Sequence, residues 1–196
     1  LAGRVVVRQA GVDSEAGAWA SYAGPGDTTV RCHRPPKVPV TTVARDDPPP
    51  GEPFAVNLIV HKSNVRIEQD LALCVKHKVP IVITSLGVRP ELNDAIHSYG
   101  GFVLHDVITN RHAKSAIAKG ADGVIAVASG AGGHSGATSP FALVQEIRAW
   151  FAGPLVLAGS IANGRAILAA QVMGADLVYM GSAFIATPEA NAPISY

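Results

Sequence analysis

The chain has 196 residues, 48% of them hydrophobic, and a formal net charge of +1. That length and apolar content suffice for one domain with a real core, and nothing in the near-neutral balance suggests a nucleic-acid or membrane surface as the main partner. No apolar run reaches the ~20 residues of a membrane span and no basic-then-apolar leader opens the chain. The two cysteines, Cys32 and Cys74, make no disulfide framework, so a soluble, cytoplasmic protein is expected. The chain starts at Leu1 and stops at Tyr196, shortly after "GSAFIATPEA", and both ends read as cuts rather than natural termini.

Residues 1–52 form an atypical, proline-rich segment holding seven of the fourteen prolines, including the run "DDPPPGEP". "GRVVVRQAG" reads as one short strand and "VPVTTVA" as a second; the other reading is a loosely structured segment. From residue 53 to 196 the grammar is regular. Short β-branched and apolar runs alternate with helical patterns. Strands are predicted at residues 54–60, 80–85, 101–106, 123–128, 154–159 and 176–181. Helices are predicted near 64–77, 90–99, 109–119, 140–150 and 163–173. Thr109 or Asn110 can cap one helix, and Pro140 after Ser139 suits a first helical position, where its missing N–H costs nothing. Gly100, Gly120 and Gly174 suit the left-handed position that ends a helix. Cys74 falls in an apolar helical pattern and reads as a small core residue.

Strands alternating with helices mean parallel β/α units, and strands buried on both faces should be continuously apolar, as these are. Two architectures fit: an open doubly wound sheet, or a (β/α)8 barrel. Both place ligands at the carboxyl ends of the strands. Those ends carry Asn57 and His61, then Thr84 and Ser85, then His105 and Asp106, then the stretch "ASGAGGHSG" with His134, then Gly159 and Ser160, and finally Gly181 and Ser182. The turns "AGSIANGRA" and "MGSAF" offer backbone N–H groups to an anion, as the last two strands of a barrel do for phosphate; the alternative is that their glycines only make turns. On the barrel reading the six strands are strands three to eight, and residues 1–52 would have to supply or replace the first two.

Glycines around His134 let backbone approach a flat ligand closely, and an imidazole with an unperturbed pKa of about 6.5 suits a general base near neutrality. An exposed or merely structural loop histidine fits the same pattern. His77 and His97 fall in helices and read as surface residues; His112 reads as structural; His105 is a second candidate for the pocket. No histidine or cysteine spacing suits a metal, and the glycine-rich loop has neither the Lys-Ser/Thr of a P-loop nor a G-x-G-x-x-G opening a helix.

Three stretches, "DVITNRHAKSAIAKGADG", "GADGVIAVASGAGGHSG" and "PLVLAGSIANGRAILAAQVMGADLVYMGSAFIAT", resemble the nitronate monooxygenases, formerly 2-nitropropane dioxygenases, over about residues 53–189. The resemblance implies an FMN-dependent (β/α)8 barrel, here incomplete. It makes His134 the catalytic base over the flavin and lays Gly132 and Gly133 against it. It places Asn57 and either Thr84 or Ser85 at the ring or ribityl chain, and gives the phosphate to Gly159, Ser160, Gly181 and Ser182. Some members carry a lysine at the position of Asp106. Members open with a strand like "PIIQAPMAG" and then "GGLG"; "VVVRQAGV" is a faint echo of the first.

The implied reaction is FMN-dependent oxidation of alkyl nitronates or nitroalkanes by O2 to a carbonyl compound and nitrite, with no nucleic-acid or membrane partner. One alternative is an NAD(P)H-dependent flavin reductase of quinones or enoyl groups. Another, of a different class, is a non-catalytic, flavin-free barrel fragment. A relative of inosine-monophosphate dehydrogenase would need a cysteine in a strand-end loop, where neither cysteine falls.

Overall fold

The six apolar runs form strands and the five helical patterns form helices. The computed structural model describes residues 54–133 and 135–181, and the backbone of residues 6–9. In chain order the elements are β1 (Val6–Gln9), β2 (Phe54–Ile59), α1 (Ile67–Lys76), β3 (Ile81–Ser85), α2 (Pro90–His97), β4 (Phe102–Val107), α3 (Asn110–Ala118), β5 (Gly123–Val127), α4 (Pro140–Arg148), β6 (Leu155–Ala158), α5 (Gly164–Met173) and β7 (Leu177–Tyr179). All neighbours are parallel, and the strands lie side by side in sequence order. The sheet curls into part of a (β/α)8 barrel. The first expected N-terminal strand is present as β1, paired with β2 from Val6 opposite Phe54 to Gln9 opposite Asn57. The second, at "VPVTTVA", lies outside the described residues.

Each strand has two faces because successive side chains alternate. On the outer face Val56, Leu58, Val82, Val103, Val107, Val124, Ala126, Leu155 and Leu157 join the helices' Leu92, Ile96, Leu143 and Ile147 in the main core. On the inner face Ala55, Ile83, Leu104, Ile125, Val156 and Ala158 form a second, smaller cluster. Burying a side chain such as Leu157 or Ile147 contributes roughly 1.5–3 kcal/mol, and both have no exposed surface. Cys74 is also fully buried, and desolvation pushes its thiol up to about 12, so it packs as a neutral core residue.

Local chemistry sets the helix ends. The Thr109 hydroxyl, not Asn110, caps α3 by accepting from the His112 backbone N–H at 3.2 Å. The Asn163 side chain caps α5 by accepting from the N–H groups of both Arg165 and Ala166, each at 3.1 Å. Gly120 (φ 90°) and Gly174 (φ 110°) take the left-handed conformation after α3 and α5. Each opens the same tripeptide, Gly-Ala-Asp. The aspartate then reaches back: Asp122 Oδ2 accepts from the Val103 N–H at 2.7 Å, and Asp176 Oδ2 accepts from the Leu155 N–H at 2.8 Å. A carboxylate thus ties the start of each strand to its predecessor. His97 and Arg148 complete the two ties, the first at 2.9 Å from Asp122. Among the described residues, no helix is long and apolar enough to cross a membrane.

Candidate functional site

The carboxyl ends of β2, β3 and β4 bring a polar chain onto the otherwise apolar inner face. Asn57 Nδ2 donates to Ser85 Oγ at 2.8 Å, and the Ser85 hydroxyl donates to Asp106 Oδ2 at 2.6 Å. Asn57 and Ser85 are buried. Desolvation raises the Asp106 carboxyl to about 6, against the downward pull of the Ser85 hydrogen bond. Tyr179 of β7 feels the same charge: burial first, then Asp106, raises its phenol.

The sign of the Asp106 effect on stability follows from that shift. Between about 3.8 and about 6 the folded protein holds a proton that the unfolded chain has released. This group's contribution to stability therefore falls as pH rises through that window. Asp106→Asn is expected to stabilise the protein at pH 8, by up to about 3 kcal/mol, and to have little effect at pH 3.5. Denaturant midpoints at the two pH values measure it, and an equal shift at both would mean that desolvation of the charge is not the cause.

Strand alternation decides between Thr84 and Ser85. Only Ser85 is on the inner face. Thr84 points outward, where its hydroxyl lies 2.5 Å from His105 Nδ1 and also donates to the Leu104 carbonyl at 3.4 Å. In this structure the Thr84 side chain lies between sheet and helices, and Ser85 is the one of the two on the inner face. His105 follows it: burial foremost, then the charges of His112 and Lys119, lowers its pKa to about 4, so it stays neutral and away from the inner face. His61 is exposed, with Nδ1 2.8 Å from Ser63 Oγ.

The glycine-rich loop after β5 packs directly on the turn after β6. The Ser160 N–H donates to the Gly130 carbonyl at 3.0 Å. A Cβ on Gly130 would stand 2.0 Å from Ser160 Oγ, and one on Gly159 would stand 2.9 Å from the Ser129 carbonyl oxygen. Only glycine permits this approach. Ser160 itself sits at φ 55°, a conformation that costs a non-glycine residue on the order of 1 kcal/mol. Its N–H points to the Gly130 carbonyl. Gly159 and Gly181 lie at the ends of adjacent strands, as expected. Beyond the loop's packed half, Cβ atoms on Gly132 and Gly133 would meet nothing within 4 Å. His134 and Ser182 lie outside the described residues.

Sequence reasoning missed the hydrogen-bond chain that ends on Asp106. Its signal was a polar, inward-facing position toward the carboxyl end of each of three adjacent strands. A curled, all-parallel sheet with glycine turns and polar side chains at its carboxyl ends defines part of a (β/α)8 barrel. A family model described as nitronate monooxygenase matches residues 50–195, and the chain belongs to that family. It is 39% identical to the nitronate monooxygenase of Pseudomonas aeruginosa over 111 residues, covering 52% of this chain and 32% of that protein. The solved structure of FabK from Thermotoga maritima matches with a TM-score of 0.67 at 30% identity, over 76% of this chain and 47% of that one. The nitroalkane oxidase of Streptomyces ansochromogenes matches with a TM-score of 0.66 at 26% identity, over 71% of this chain and 52% of that one. The chain thus spans about a third of the curated relative and about half of each solved chain.

Proposed function

We propose that this chain carries the catalytic part of an FMN-dependent oxidoreductase that oxidises alkyl nitronates or nitroalkanes with O2, yielding a carbonyl compound and nitrite. The observation that carries the reading is the glycine loop of the family's match, seated on the Gly159–Ser160 turn. The residues fit a flavin: Gly132 and Gly133 leave open the space that side chains would fill, and Asn57 and Ser85 bring an amide and a hydroxyl to the inner face. When bound, FMN supplies the electron transfer between substrate and oxygen. Asn57 and Ser85 orient the ring or ribityl chain. Gly132 and Gly133 present bare backbone to it. Gly159, Gly181 and Ser182 hold the phosphate. His134 takes the proton from the carbon that bears the nitro group.

The first test is the visible spectrum of protein purified with added FMN. Two flavin bands retained after desalting are the expected result; a colourless protein would overturn the assignment for this chain. The FabK likeness favours a second reading, an NAD(P)H-dependent reductase of quinones or enoyl groups. Bleaching of the bound flavin by NADH or NADPH under nitrogen, with no nitronate present, would select that reading.

A further inference from the structure

The far limb of the glycine-rich loop has as little room as the near one. It passes Gly136 and returns to Thr138, whose carbonyl accepts from the Ser129 N–H at 2.8 Å. Gly136 lies over the seam between two strands. Val107 pairs with Ala126, so Ile108 and Val127 are the next residues along β4 and β5. The Gly136 N–H donates to the Val127 carbonyl at 3.1 Å. A Cβ on Gly136 would stand 2.7 Å from that same oxygen, 3.0 Å from the Ile108 carbonyl oxygen and 3.1 Å from Ile108 Cβ. The Gly136 φ lies outside the left-handed region, so glycine is needed here for room and not for conformation.

Two of those three neighbours are backbone atoms of packed strand ends. Val127 is held by its pairing with Ala158, and Val107, just before Ile108, is buried in the main core. Neither can step aside as the tip of a flexible side chain can. The loop is therefore anchored at two separate places. Its near limb packs on the β6 turn through Gly130 and Ser160, beside the Gly159 that the reading above gives to the phosphate. Its far limb is wedged on β4 and β5 through Gly136. Residue 134 stands two positions before Gly136 and four after Gly130, so the far anchor is the nearer to it along the chain.

We propose that Gly136 is the positioning residue for the base: its fit against Val127 and Ile108 sets where the loop holds the His134 imidazole. This rests on His134 being the base of the reading above. In that step the proton leaves the carbon that bears the nitro group for the imidazole, and the C–H electron pair stays on the nitronate. Gly136 acts only through the loop. A displacement of about 1 Å at the reacting atoms can cost about a hundredfold in rate. The loss falls on a neutral nitroalkane, which must give up that proton. It spares the nitronate, which has already lost it.

The test compares Gly136→Ala with the wild type, both loaded with FMN, on nitroethane and on its pre-formed nitronate. Turnover of nitroethane should fall about a hundredfold while turnover of the nitronate stays within about twofold. The midpoint of the nitroethane pH profile should not move, because the same base acts from a worse position. Titration with FMN, followed by flavin fluorescence, should give the wild-type Kd, since the anchor on the β6 turn is untouched. Ile108→Gly repeats the test from the other side and covers a Gly136→Ala chain that does not fold. It takes away the Cβ facing Gly136 without adding an atom, and should lower nitroethane turnover about tenfold with the nitronate again spared. Amide exchange reads the anchor with no substrate present: the Gly136 N–H should exchange about tenfold faster in Ile108→Gly than in the wild type.

Equal losses on nitroethane and nitronate, weakened FMN binding in the variants, or full nitroethane turnover in Gly136→Ala would each overturn the proposal. So would a wild type that oxidises the nitronate but not nitroethane, since no base step then exists. A wild-type protein that retains no FMN or oxidises neither substrate overturns the oxidase reading itself, and the Gly136 role with it. Failure of the Gly136 role alone leaves the wild-type rates intact, so the two failures are told apart.

Discussion

His134→Asn is expected to lower nitroalkane turnover by about two to four orders of magnitude while FMN stays bound. That range is what a positioned general base contributes. Asparagine keeps a polar side chain of similar bulk but cannot accept a proton near neutral pH. The loop should survive the exchange, because backbone bonds hold it on both sides of the histidine. Ser129 N–H donates to the Thr138 carbonyl at 2.8 Å, Gly136 N–H to Val127 at 3.1 Å, Ser135 N–H to Gly133 at 2.9 Å and Ser160 N–H to Gly130 at 3.0 Å. None of these uses the residue 134 side chain. The visible spectrum and the rate together decide the matter. An unchanged rate with flavin retained removes the base role, and lost flavin makes His134 a binding residue.

Gly159→Ala is expected to destabilise the protein by about 2–4 kcal/mol and to abolish FMN retention. Two effects add. Gly159 sits at φ 132°, outside the range of L-residues, which costs roughly 1–3 kcal/mol. Its new methyl would also press on backbone, 2.9 Å from the Ser129 carbonyl oxygen and 3.2 Å from that of Ala128. Relief requires the glycine loop to lift off the β6 turn. Gly132→Ala is the matched control, since nothing lies within 4 Å of its Cβ position. That variant should melt with the wild type yet bind FMN more weakly, because the methyl would occupy the space assigned to the flavin. Urea midpoints and FMN titration of both variants separate the two effects. Equal midpoints for both would mean that the loop-to-turn packing is not tight.

The strands and helices were legible because their signals are local. Continuous runs such as "PIVITS" and "PLVLAG" suit a strand buried on both faces, and Gly120 and Gly174 mark helix ends by a conformation other residues avoid. The same continuity hides which face is which. Val82 and Ile83 are equally apolar, so nothing in the run tells whether Thr84 or Ser85 turns inward; the pairing of β3 with its neighbours decides it. His105 went astray for the same reason. The bond from Ser160 to Gly130 and the chain from Asn57 through Ser85 to Asp106 join residues 30, 28 and 21 positions apart. Spacing along one chain cannot reveal such contacts. The six predicted strand ends nevertheless include Asn57, Ser85 and Asp106, the three members of the hydrogen-bond chain.

Because the strands lie side by side in chain order, each new strand of β2 to β7 finds its partner already made. Such a sheet can grow one β/α unit at a time as the chain emerges from the ribosome, with helix and strand closing short loops. The pairing of β1 with β2 is the exception, since residues 10–53 separate them. Doubling a loop adds only about 0.6 kcal/mol to the cost of closing it, but β1 has four residues to set against that cost. The sheet should therefore unzip first at β1, whose amides should exchange with solvent well before those of β4 and β5 at its centre.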